Sequence, residues 1–127
     1  MAYTIGDISE STGLSRHTLR YYERAGLLPP VSRDGGGRRC YDERDLRWLR
    51  FLMRLREAGM PIATIRRYVQ LLGQGETSLP QRIELLDSHR QALRAKIQRL
   101  QNHLDAVDAK LDLYRREGVD CLAKAND

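Results

Sequence analysis

Residues 4–30 read TIGDISESTGLSRHTLRYYERAGLLPP, and this stretch decides the fold. Thr4 precedes Ile5 with Asp7 three residues on, so Thr4 caps a helix that starts at Ile5. Ile5, Ile8 and Leu14 are its apolar positions. Gly13 breaks that helix and permits a tight turn. Ser15 then holds the N-cap position of a second helix, followed by Arg16, His17 and Thr18. Leu19 and Tyr22 face inward on it, and Gly26 marks its end. Two short helices joined by a glycine-containing turn make a helix-turn-helix. With Leu19 and Tyr22 inward, Arg16, His17, Arg20 and Arg24 project outward together with Thr18 and Tyr21. A helix amino terminus presents free N–H groups that suit phosphate. Arg16 and Arg20 reach base edges or phosphates from there, and the Tyr21 hydroxyl reaches a phosphate. An amphipathic surface helix whose charges only face solvent would carry the same pattern.

Working outward, Leu27, Leu28, Pro29 and Pro30 follow, and the prolines cannot continue a helix. Residues 31–33 and 39–41 read as two short strands. The tip at 34–37 contains three glycines and joins them as a hairpin, or wing, with a flexible linker as the alternative. Arg38 and Arg39 lie just past the tip, where they can straddle flanking DNA backbone. Asp42 caps a helix to about Ala58 whose apolar side is Leu46, Leu49, Leu52, Met53 and Leu55. Gly59 and Pro61 stop it. A further helix covers about 62–72, with Ile65, Tyr68, Val69 and Leu72 expected to be buried, and 73–78 reads as a loop.

The back half is periodic. Ile83, Leu86, Arg90, Leu93, Ile97, Leu100, Leu104, Val107, Leu111 and Tyr114 follow alternating three- and four-residue steps, and all but Arg90 are apolar. That is a coiled-coil pattern. A helix over 80–117 is roughly 55 Å long at 1.5 Å per residue. Such a helix cannot bury its stripe on the small front half alone. The economical partner is the same helix of a second copy, giving a two-fold homodimer; folding back on its own domain is the alternative. Heptads do not choose between parallel and antiparallel pairing. His89 and His103 fall off the heptad core and read as solvated.

The expected fold is therefore mainly α: a winged helix-turn-helix domain with a helix pair over 1–75, a dimerising coiled-coil helix over 76–118, and a short tail over 119–127. A net charge of +5 and a pI near 9.6 favour an anionic partner, nucleic acid first. Every Lys-or-Arg position between Met1 and Met60 is arginine, whose planar fork suits phosphate and guanine edges. No carboxylate pair, metal cluster, phosphate-cradling loop or nucleophile constellation stands out, so an enzyme is not expected, nor is a cofactor. The amino terminus lacks the apolar segment of a signal peptide and no run is long enough to span a bilayer, so a cytoplasmic protein without a membrane partner is expected. Cys40 and Cys121 make no disulfide framework. A coiled-coil module whose front half binds protein is the competing reading, but it has no need of an arginine-bearing helix and wing at this spacing.

The run YTIGDISESTGLSRHTLRYYERAGLLPP at 3–30 resembles the amino-terminal signature of MerR-type transcriptional regulators. GRRCYDERDLRWLRFLMRLREAGMPIATI at 37–65 is similar to that family's wing, following helix pair and glycine-containing loop. The resemblance implies DNA contacts from Thr18, Arg20 and Tyr21 on the recognition helix and from Arg39 and Tyr41 in the wing motif. Arg38 stands where the family often has a tyrosine. It also implies an antiparallel coiled coil and a mechanism in which the dimer distorts an overlong promoter spacer so that RNA polymerase engages both promoter elements. The DLRWL segment and short tail look most like the aldehyde- and nitrosative-stress branch, whose reactive cysteine in the helix after the wing corresponds to Arg54 here. Cys121 alone makes a poor closed metal site, so no metal is expected. Cys40, flanked by arginine, and Cys121, beyond the last good heptad, are the candidate redox-sensing thiols. For Cys40 a small strand filler is the favoured reading.

Overall fold

The computed structural model describes residues 2–118. In chain order they form α1 (Ile5–Thr12), α2 (Arg16–Arg24), β1 (Ser32–Arg33), β2 (Arg39–Cys40), α3 (Glu43–Glu57), α4 (Ile62–Gly73), a 3₁₀ turn (Gly75–Ser78) and α5 (Leu79–Glu117). Each early helix begins where a polar side chain satisfies an otherwise orphaned N–H. Thr4 and Asp7 form a reciprocal capping box on α1, and Asp42 and Asp45 form another on α3. The Ser15 hydroxyl accepts from Thr18 N at 3.0 Å at the start of α2. Gly13 ends α1 with φ of 79°, a left-handed conformation that a side chain would strain.

The core gathers one face of each short element. Ile8 of α1, Leu19 and Tyr22 of α2, Leu27 and Leu28 of the linker, and Ile65 of α4 close around Leu46, Leu49, Leu52 and Leu55 of α3. Burying each such leucine stabilises the domain by about 1.5–3 kcal/mol, and α3, against which α1 and α4 pack, supplies four of them. The hairpin is shorter than expected: β1 and β2 pair antiparallel as Ser32 with Cys40 and Arg33 with Arg39. Tyr41 leaves that ladder and bridges Tyr3 instead, through Tyr3 N to Tyr41 O at 2.7 Å and Tyr41 N to Tyr3 O at 2.9 Å. The segment before α1 is thereby fastened to the base of the wing.

Three other expectations change. On α4 the buried positions are Ile65 and Leu71, whereas Tyr68, Val69 and Leu72 are half-buried. Tyr68 instead stacks on Trp48 of α3 with ring centroids 5.5 Å apart. The expected loop at 73–78 contains the 3₁₀ turn, held by Ser78, which is buried and donates its hydroxyl to Leu71 O. His103 is exposed as expected, but His89 is half-buried.

The chain divides into two compact units after Asp87. The first holds the helix-turn-helix, the wing, α3, α4 and the opening turns of α5, where Leu85 packs on the core. Beyond them, α5 offers Ile97, Leu100, Leu104, Val107 and Leu111 to solvent.

Candidate nucleic-acid interface

The cationic face of α2 follows from what the helix must bury. Leu19 is fully buried and Tyr22 nearly so. At about 100° per residue, Arg16, His17, Arg20 and Arg24 are then left in solvent. Tyr21 is 42% exposed beside them. Thr18 is half-buried, and its hydroxyl accepts from the Ser15 hydroxyl at 2.9 Å, so it also orders the start of the helix.

The wing tip is built by Asp34. Its Oδ1 accepts from Gly36 N at 2.9 Å and Arg38 N at 3.0 Å, closing the glycine-rich loop. Arg33 donates to Gly37 O at 2.9 Å across the same loop. Arg38 projects into solvent, as the sequence suggests. Arg39 does not: its Nε donates to Glu23 Oε2 at 2.5 Å, with both side chains about three-quarters or more buried. This ion pair bolts the wing to the recognition helix.

Tyr41 departs furthest from expectation. It was expected at the DNA, yet it is fully buried in the core cluster. Its hydroxyl finds no hydrogen-bond partner among the described residues. Burial first, and the neighbouring Glu23 carboxylate second, push that hydroxyl's pKa above the usual tyrosine value. Its contribution is to anchor the wing from beneath.

Two braces were missed by sequence reasoning. Arg66 of α4 donates to Ala25 O at 2.7 Å, capping the end of the recognition helix. Trp48 of α3 donates its indole N–H to Leu27 O at 2.8 Å. Their partners lie 41 and 21 residues away in the chain, so no local pattern signals them.

The outward side of α2, the first turn of α1 and the wing together line a cleft of about 350 Å³, with Arg16, Arg20, Arg33 and Arg38 on its walls. Cys40 sits half-buried on β2, and Cys121 lies outside the described residues. No group of three or more metal-ligating side chains occurs among the described residues. No helix among them is long and apolar enough to cross a membrane.

A helix-turn-helix whose cationic helix is locked to a wing matches a known family model. Residues 3–72 match the MerR HTH family regulatory protein model, and residues 46–110 match the model of the MerR DNA-binding region. The chain belongs to the MerR family. Among its relatives, the HTH-type transcriptional regulator AdhR of Bacillus subtilis is 41% identical over 78 residues, covering 61% of this chain and 56% of that protein. The HTH-type regulator YyaN of the same organism is 44% identical over 70 residues, covering 55% and 51%. The matched part thus spans little more than half the length of these MerR relatives. A crystal structure of a MerR-family protein from Listeria monocytogenes superposes with a TM-score of 0.88 at 38% identity, covering 98% of this chain and 95% of the other. HiNmlR, described as a MerR-family regulator lacking the sensor domain and bound to promoter DNA, gives 0.82 at 34% identity, covering 91% and 92%.

Proposed function

We propose that this MerR-family chain is a sequence-specific, DNA-binding transcriptional regulator and not an enzyme. It acts as a homodimer on a palindromic promoter site and activates by distorting the promoter spacer for RNA polymerase. The carrying observation is the exposed Arg16, His17, Arg20, Tyr21 and Arg24 face of α2, held at a fixed angle to the wing by the Glu23–Arg39 pair. A rigid cationic helix beside a cationic hairpin suits a major groove and its flanking backbone. The bare stripe on α5 supports a coiled-coil dimer that would hold two reading helices one helical turn apart, and the family resemblance makes its pairing antiparallel. On this reading residues 1–75 read DNA, 76–118 dimerise and 119–127 follow as a tail.

The test is recovery of bound genomic fragments followed by a gel-shift titration on the recovered palindrome. Arg20→Ala is expected to weaken binding by about 1–3 kcal/mol, or roughly 5- to 150-fold, at moderate salt. Unchanged affinity would refute the assignment of α2. A stress response belongs to the same proposal. With Arg54 at the position of the stress branch's cysteine, Cys40 and Cys121 are the thiols left to carry it. A Cys40→Ser, Cys121→Ser double variant is expected to lose any transcriptional response to aldehydes and oxidants, and a response equal to the parent's excludes thiol sensing.

A further inference from the structure

Gly6 lies in the first turn of α1, and a Cβ built on it would stand 2.7 Å from Nη2 of Arg16 and 3.4 Å from its Cζ. The Arg16 guanidinium therefore lies across α1 in space that any other residue at position 6 would occupy. That placement brings it to the cleft shared with Arg20, Arg33 and Arg38. The negative groups nearby are already engaged. Asp34, which also lines the cleft, has its Oδ1 turned to the Gly36 and Arg38 N–H groups, and Glu23 is paired with Arg39. The cleft keeps a surplus of forked cationic donors, and such forks match the geometry of a phosphodiester.

We propose that this cleft seats one backbone phosphate of the DNA, and that Gly6 is a positioning residue that admits the Arg16 guanidinium to it. This rests on the DNA-binding reading above. A DNA phosphate fits better than a free anion because the cleft lies between the two surfaces, recognition helix and wing, that would flank a groove.

The atoms a methyl group at position 6 would displace are the far end of a flexible, exposed side chain, so the fold has no reason to suffer. Alanine is moreover preferred to glycine within a helix. Gly6→Ala in the full chain is therefore expected to melt at the same temperature or slightly higher, while its affinity for the recovered operator falls about tenfold. The slope of log affinity against log salt is expected to shrink by about one, as for the loss of a single phosphate contact. Arg16→Ala should reproduce both changes, and the double variant should be no worse than either single one.

Operator duplexes carrying one neutral methylphosphonate at each backbone position in turn complete the test by fluorescence anisotropy. One position should weaken the parent chain yet leave Gly6→Ala unaffected. If the parent binds and Gly6→Ala binds equally with the same salt slope, the phosphate seat is wrong and the DNA reading stands. Weaker binding with no such insensitive position assigns Arg16 to a different contact and overturns the seat. A lower melting temperature for Gly6→Ala overturns the positioning role. If the parent chain selects no duplex at all, the DNA reading itself fails.

Discussion

Leu104→Ala tests whether the bare stripe of α5 is a dimer interface. Ile83, Ile97, Leu100, Leu104, Val107 and Leu111 keep between 43% and 59% of their surface exposed in the single chain. Fully burying such a side chain is worth about 1.5–3 kcal/mol, so covering the remaining half gives about 1 kcal/mol each. In a two-fold dimer every position counts twice, and the six together supply on the order of 12 kcal/mol gross. Association itself costs roughly 4–15 kcal/mol, so the margin is narrow and a single deletion must show. Leu104 is 51% exposed. Truncating it in both copies removes about 2 kcal/mol of burial, and the incompletely closed cavity raises this to about 2–3 kcal/mol. The dimer dissociation constant should therefore rise roughly 30- to 150-fold. Sedimentation equilibrium across nanomolar to high micromolar protein measures it directly. Asn102→Ala is the control. Asn102 lies on the outer side of the heptad and accepts from Gln98 at 3.0 Å within its own helix, so its loss should leave dimerisation unchanged. A wild-type chain that stays monomeric at tens of micromolar, or equal dissociation constants for the two variants, would refute the reasoning.

Two further outcomes follow from the caps. Ser15→Ala removes the acceptor for Thr18 N and should cost about 1 kcal/mol, seen as a drop of several degrees in the melting temperature, with weaker operator binding because the start of α2 frays. A melt identical to the parent's would show that tertiary packing alone holds that turn. Asp42 concerns pH. The Asp45 N–H bonded to its carboxylate holds the Asp42 pKa below its ordinary 3.8, so its stabilisation is complete above that value and is lost as pH falls through the lowered folded value. Asp42→Asn keeps a capping oxygen but cannot titrate. The stability difference between parent and variant should accordingly shrink as thermal melts are taken from pH 7 towards pH 2.5, and a constant difference would show that the charge on Asp42 plays no part.

Local chemistry made much of this protein readable in advance. Thr4, Ser15 and Asp42 start helices because a side-chain oxygen meets an N–H three residues on, an event that depends on nothing distant. Gly13 breaks the chain for an equally local reason, and Leu19 and Tyr22 set the phase of α2 and hence its arginine face. The sequence also carries the heptads of α5, because periodicity belongs to the helix itself. Tertiary structure decided what depends on neighbours remote in the chain. Tyr41 looked like a surface contact, yet it bridges Tyr3 through the backbone and lies fully buried in the core cluster. Arg39 was expected to contact DNA, and the pairing of its Nε with Glu23, 16 residues away, was not legible in the sequence. Leu71 and not Leu72 is the buried leucine at the end of α4, and the Arg16 guanidinium lies in space that Gly6 of a different helix leaves open. Patterns with a helical or strand period state which way a residue faces. What it meets there is settled by packing between elements, where burial and charge pairing act across separations that no local motif records.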